Sequence, residues 1–177
     1  MPKIIENLKT DILETAKDVL QEKGFQDFSI RTVAKKLHIA PATIYNYFPS
    51  KESILNALVN ESWGYLMREI DRETEIADSA MEALETVYGL LQRAMNPVVS
   101  HCITMDAAVP EDHPSGATIM EKKQGLSREL TLRIEKILEK FGKDNAQAEV
   151  FTNLFIMCSH HRTLSFDEIV TAVQSLQ

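Results

Sequence analysis

The chain has 177 residues, of which 44% are hydrophobic, 25% charged and 7% aromatic, a composition that excludes a disordered polymer. It lacks a run of about 18 uncharged apolar residues to span a membrane, and its two cysteines, Cys102 and Cys158, are too distant for a CxxC zinc finger or a disulfide scaffold. The net charge of −7 is uneven: residues 1–60 hold eight Lys/Arg against seven Asp/Glu, which excludes a bulk polyanion binder but allows a local nucleic-acid patch.

Met1-Pro2-Lys3-Ile4-Ile5-Glu6 turns acidic too soon for a signal peptide, so a cytoplasmic protein is expected. A first helix is predicted over about Ile4 to Lys23, with Ile5, Leu8, Ile12, Ala16, Val19 and Leu20 forming one apolar stripe. Gly24 ends it and Phe25 is placed to fold back on its last turn. Ser29 caps a short helix to about Leu37, which turns Ile30, Val33, Ala34 and Leu37 inward. Pro41 opens another that lasts to about Phe48, and Pro49-Ser50 breaks it, with Ser50 placed to cap the next.

A longer helix from Lys51 to about Ala77 follows, and Ser79-x-x-Glu82 reads as a capping box for the one after it, through Met95. Residues 96–114 contain Pro97, Pro110 and Pro114 and are predicted as a short helix and a loop. A long helix carrying Leu126, Leu130, Ile134, Ile137, Leu138 and Phe141 breaks at Gly142. The next spans about Asp144 to His160, and Ser165-x-x-Glu168 is a capping box for the last. No stretch alternates like a strand for more than a few residues, so the predicted fold is all-α.

Residues 24–51 concentrate the chemistry. Two short helices joined by a tight turn and preceded by a longer one meet the requirements of a helix-turn-helix. Ile44 and Phe48 face inward, which leaves Ala42, Thr43, Tyr45, Asn46 and Tyr47 for the remaining surface. Thr43 offers a methyl and a hydroxyl to base edges, Asn46 suits adenine in the major groove, and the tyrosines reach phosphates. Arg31 and Lys51 add positive charge beside them.

Gly24-Phe25, Ser29-Ile30-Arg31-Thr32-Val33-Ala34 and Thr43-Ile44-Tyr45-Asn46-Tyr47-Phe48-Pro49-Ser50-Lys51-Glu52 together resemble the TetR family of bacterial transcriptional repressors, over about residues 4–60. The resemblance implies a DNA-binding domain at 1–50 and an effector-binding and dimerisation domain at 51–177. It also implies a cytoplasmic bacterial homodimer on a palindromic double-stranded operator, released by a small-molecule effector, without cofactor or membrane. By position, Ser29 would cap against a phosphate and Arg31 would reach the groove or backbone. Pro41, Ala42, Thr43 and Asn46 would lie nearest the bases, and Tyr45, Tyr47 and Lys51 on phosphates. Two departures stand out. His38 occupies a turn position where the family usually has glycine and where positive φ is often needed. Ala40 replaces a capping serine, which forgoes a bond worth about 1 kcal/mol.

In the remaining chain, Val150-Phe151-x-x-Leu154-Phe155-Ile156-Met157-Cys158 is apolar around most of a helix. With Phe166, Ile169, Val170 and Val173 it predicts an isologous four-helix dimer interface that includes Phe151, Leu154, Phe155 and Cys158, the alternative being the central helix of a monomeric bundle. Trp63, Met67, Tyr88, Met95, His101 and Met105 are the candidate effector contacts, with plain core as the alternative for each. His101 and Met105 stand at helical ligand spacing, and no metal site is expected. The competing classes are a helical-bundle enzyme, which would need Glu-x-x-His pairs, a phosphate loop or HExxH and has none, and a protein-interaction module using residues 29–48.

Overall fold

The computed structural model describes residues 7–24, 27–95, 114–161 and 163–175, with side chains placed except at 114–123 and 160–161. The described residues form helices and no strands. These are α1 (Leu8–Lys23), α2 (Ile30–Lys36), α3 (Pro41–Tyr45), α4 (Lys51–Glu75), α5 (Ala80–Ala94), α6 (Pro114–Lys140), α7 (Ala148–His161) and α8 (Phe166–Gln174). They divide into two compact units, the first reaching Glu61 and the second beginning at Ser62.

In the first unit α1 buries Leu8, Ile12, Ala16, Val19 and Leu20, the predicted stripe. Ile4, Ile5 and Phe25 lie outside the described residues. Gly24 adopts φ 71°, ψ −176°, a conformation open to glycine alone, while its N–H donates to the Leu20 carbonyl at 3.0 Å. Ser29 caps α2 by accepting the Thr32 N–H at 3.1 Å. The end of α2 is a Schellman turn, in which Ile39 N–H reaches the Ala34 carbonyl at 3.0 Å and His38 N–H the Lys35 carbonyl at 3.3 Å. His38 is the left-handed residue of that turn, at φ 56°.

Ala40 gives α3 no side-chain cap, as its methyl requires. The helix is shorter than the predicted span to Phe48, closing at Tyr45 with Asn46 and Tyr47 in a turn. Phe48 N–H still bonds to the Ile44 carbonyl at 2.9 Å, which keeps both side chains on the inner face. Ser50 and Ser53 cap α4 reciprocally, each backbone N–H 3.2 Å from the other's hydroxyl. Ile54, Leu55 and Leu58 complete this core, so the packed unit extends about three turns beyond the module expected at 1–50.

The second unit's core takes Trp63, Leu66, Met67 and Ile70 from α4, with buried residues from α5, α6, α7 and α8 around them. Phe155 is fully buried, with ring centres of Tyr88, Phe151 and Phe166 at 5.1, 5.6 and 6.2 Å. Thr131 donates to Thr152 across α6 and α7 at 3.0 Å, and this bond fixes their register. Arg133 holds Asp71 with two bonds of 3.0 Å, and Lys140 donates to the Thr74 and Glu75 carbonyls, closing the C-terminus of α4.

Two helix-start expectations change. α7 begins at Ala148 rather than near Asp144, because the Asp144 carboxylate accepts the Ala146 N–H at 3.0 Å and holds the preceding residues in a turn. Ser79 accepts the Glu82 N–H, but Glu82 returns its carboxylate to Asp78 N–H at 2.9 Å, so this box is shifted by one residue. At α8 the box is complete: Ser165 and Glu168 each accept the other's N–H. Of the short helix and loop predicted over 96–114, residues 96–113 lie outside the described residues and Pro114 opens α6.

Candidate nucleic-acid interface

α3 presents itself because of what it hides. Ile44 is fully buried and Phe48 nearly so, in the same core as Val33, Ala34 and Ile54. With that anchor fixed, Pro41, Ala42, Tyr45 and Asn46 are exposed, Tyr45 by 53%. Thr43 is half-buried. Tyr47 is half-buried as well and packs against the unit's core with part of its surface left open. The cause is the early end of α3: residue 47 sits in the turn beside Ile44 and Phe48, where part of its ring is covered.

Around α3, Arg31 is exposed on α2, and Lys51 at the start of α4 lies 5.5 Å from the Phe28 ring centre. The Ser29 hydroxyl also pairs with the Thr32 hydroxyl at 2.8 Å, and Thr32 reaches the Asp27 carbonyl. Thr32 is therefore a positioning residue that sequence reading passed over; the Ser-x-x-Thr spacing was its signal. The adjacent Lys35 and Lys36 are not equivalent. Lys36 is held by Glu22 at 2.6 Å and Asp18 at 3.6 Å, and its ammonium is pushed above the usual lysine range, first by the hydrogen bond to Glu22. Its charge is thus already answered on α1. Exposed Asn46 and Tyr45 beside half-buried Thr43, flanked by Arg31 and Lys51, provide hydrogen-bonding groups for base edges and cations for phosphates.

The residues expected at a dimer interface fall into two groups. Phe151, Phe155, Cys158, Ile169 and Val173 are buried within their own chain, which corrects their assignment as contacts with a partner. α5, α6 and α8 supply the cover that the apolar circumference of α7 demanded. Leu154, Phe166 and Val170 remain partly exposed, and Met157 beside them is 53% exposed.

Of the expected effector contacts, Trp63, Met67 and Tyr88 are buried in the core and Met95 is partly buried. The Tyr88 hydroxyl donates to the Leu164 carbonyl at 2.5 Å, and burial pushes the phenol up from its usual range. His101 and Met105 lie outside the described residues. Among the described residues no three His, Cys, Asp or Glu side chains converge as a metal site, and no helix is long and apolar enough to cross a membrane.

Residues 12–58 match the family model of bacterial regulatory proteins, tetR family. The chain is 27% identical over 95 residues to the HTH-type transcriptional repressor KstR of Mycobacterium tuberculosis, with 52% of this chain and 43% of that protein covered. It is 32% identical over 76 residues to the fatty acid metabolism regulator protein of Bacillus subtilis, with 43% of this chain and 39% of that protein covered. The chain thus spans less than half the length of either curated relative. Both relatives are named as regulators. The fold is similar from end to end to that of a TetR transcriptional regulator from Legionella pneumophila, with TM-score 0.66 and 16% identity over 98% of each chain. The buried Ile44 and Phe48 and the exposed residues between them lie within residues 12–58, the stretch that matches the tetR family of bacterial regulatory proteins.

Proposed function

We propose that this chain represses transcription by binding a palindromic DNA operator as a homodimer, and that a small molecule taken up by the second unit releases it. The exposed face of α3, anchored by Ile44 and Phe48, is the observation that carries this reading. Thr43 and Asn46 read bases from the major groove. Pro41 and Ala42 lie at the end of α3 that enters first, and Ser29, Arg31, Tyr45, Tyr47 and Lys51 hold the backbone. The surface left on α7 and α8 by Leu154, Met157, Phe166 and Val170 pairs with its copy. Pairing sets two α3 helices about 34–36 Å apart, one turn of duplex.

One feature supports ligand control. α4 contributes Ile54, Leu55 and Leu58 to the first core and Trp63, Leu66, Met67 and Ile70 to the second. A change in the packing of one core therefore acts on a helix that the other core also uses. A ligand that favours one of two arrangements needs only about 1–3 kcal/mol of coupling to shift operator affinity by 5–150-fold.

The test is a mobility-shift titration against palindromes from the DNA upstream of its own gene, with sedimentation to fix the stoichiometry. A dimer that retards one such palindrome in preference to random duplex and to heparin is expected. Equal affinity for all polyanions, or a monomer bound to a single half-site, refutes the reading. Tyr47 and Lys51 substitutions weaken binding on every sequence, whereas Thr43 and Asn46 substitutions change the preferred sequence.

A further inference from the structure

Trp63 is 4% exposed within the second core, and its indole Nε1 has no hydrogen-bond partner among the described residues. An indole N–H can only donate, and proteins rarely bury such a group without an acceptor. Other buried polar side chains in this unit are answered locally: Thr74 donates to the Ile70 carbonyl at 2.6 Å, Thr152 to the Ala148 carbonyl at 2.9 Å, and Tyr88 to Leu164. Among the described residues the Ser159 hydroxyl on α7, 1% exposed, is a second such group. Like Thr152, it could donate back along its own helix, and it does not.

The charges follow the opposite pattern. Asp71, Arg133 and Glu129 satisfy one another towards the surface, as do Glu69, Arg72 and Glu73. Among the described residues the interior of this unit holds Trp63, Met67, Leu84, Tyr88 and Phe155 but no ionised side chain. An ion taken into such surroundings would lose its hydration with no countercharge in return, whereas a neutral carbonyl or ether oxygen would complete the indole. Methionine and aromatic side chains supply adaptable apolar cover for the remainder of the molecule.

We propose that the ligand of the second unit is an uncharged, largely apolar molecule bearing a hydrogen-bond acceptor, which the indole N–H of Trp63 receives. This rests on the reading of that unit as the effector domain and narrows it to a chemical class.

Trp63 is the chain's single tryptophan, so its emission and its one indole N–H resonance report on this group alone. The full chain is titrated with four probes of equal length: 2-octanone, octane, octanoate and octyltrimethylammonium. The ketone is expected to change the emission saturably and move the indole proton downfield. It should bind about tenfold more tightly than octane, the order of one net hydrogen bond, and more tightly than either ion. Trp63→Phe, which keeps an aromatic ring and removes the donor, should reduce the ketone's advantage over octane to less than about threefold by calorimetry. Should that variant fail to fold, the indole resonance of the unsubstituted protein decides.

An unmoved indole proton, tighter binding of either ion, or no binding by any of the four overturns the proposal. Operator release by octanoate or octyltrimethylammonium would overturn neutrality and leave the effector reading standing. Ketone binding at Trp63 with operator affinity unchanged would uphold the contact and remove the effector reading.

Discussion

Replacing Ile44 by alanine tests whether α3 is held from beneath as its burial indicates. Ile44 is fully buried among Val33, Ala34, Phe48 and Ile54. The substitution removes three carbons, for which truncation at a packed site costs about 2–5 kcal/mol. A unit of about sixty residues has about 3–9 kcal/mol of stability in total, so the change consumes much of it. The companion is Asn46→Ala. Asn46 is exposed, so the change should cost under about 0.5 kcal/mol of stability but about 1–3 kcal/mol of discrimination between operator and mismatched DNA. Urea unfolding is followed by circular dichroism for all helices and by Trp63 emission for the second core. For Ile44→Ala the helical signal should be lost in two stages, the earlier one without any change in Trp63 emission. Operator affinity should fall with that earlier stage. The Asn46 variant should unfold like the parent and lose operator preference. An Ile44→Ala protein within 0.5 kcal/mol of the parent, or an Asn46→Ala protein destabilised by more than 1 kcal/mol, would refute the division into anchor and reader.

His38 and Gly142 hold equivalent left-handed positions, at φ 56° and 64°. His38→Gly should relieve about 1–2 kcal/mol of backbone strain and lose part of it to chain entropy, leaving about 0.5–1 kcal/mol of stabilisation in a thermal melt; His38→Val should destabilise. Ser29→Ala removes the α2 cap and should cost about 1 kcal/mol in urea unfolding, with weaker binding to all duplexes if the hydroxyl also meets a phosphate. The Glu168 carboxyl lies below its usual range because it accepts the Ser165 N–H first and its hydroxyl second. A depressed folded value means that the stabilisation is present above the ordinary glutamate pKa and is lost as pH falls through the lower folded one. Amide exchange of α8 should therefore accelerate on acidification in the parent, and Glu168→Gln should flatten that dependence.

Much of the first unit was legible because its signals are local. Ser29, Gly24, Pro41 and Ser50 each specify a helix end through one backbone conformation or one hydrogen bond. The positive φ expected at His38 appears at 56° because the turn between α2 and α3 needs it whichever residue is present. The length of α3 was less legible. Periodicity asks only that Ile44 and Phe48 share a face, and a helix closing at Tyr45 with a following turn satisfies that as well as a helix to Phe48 does. The half-burial of Tyr47 follows from this ending and not from any property of tyrosine. The Asp144 turn and the displaced partner of Glu82 show the same limit: a capping residue announces a helix start, but competing nearby donors decide its register.

In the second unit the apolar girth of α7 required cover without saying whose. Helical periodicity measures how much of a circumference avoids water, and a neighbouring helix of the same chain satisfies that demand as fully as a partner subunit does. The difference lies in exposure residue by residue. Phe155 is closed by Tyr88, Phe151 and Phe166, whereas Met157, two positions on and across the helix, keeps 53% of its surface. A proposed partner can cover only what the chain leaves open, so Leu154→Glu or Met157→Glu should weaken pairing with little loss of the monomer's core. Phe155→Ala should cost about 3–5 kcal/mol of folding stability before any effect on association is read. Sedimentation of the two kinds of variant separates them: dissociation by Phe155→Ala alone, with both glutamate variants still paired, would place the interface on another face.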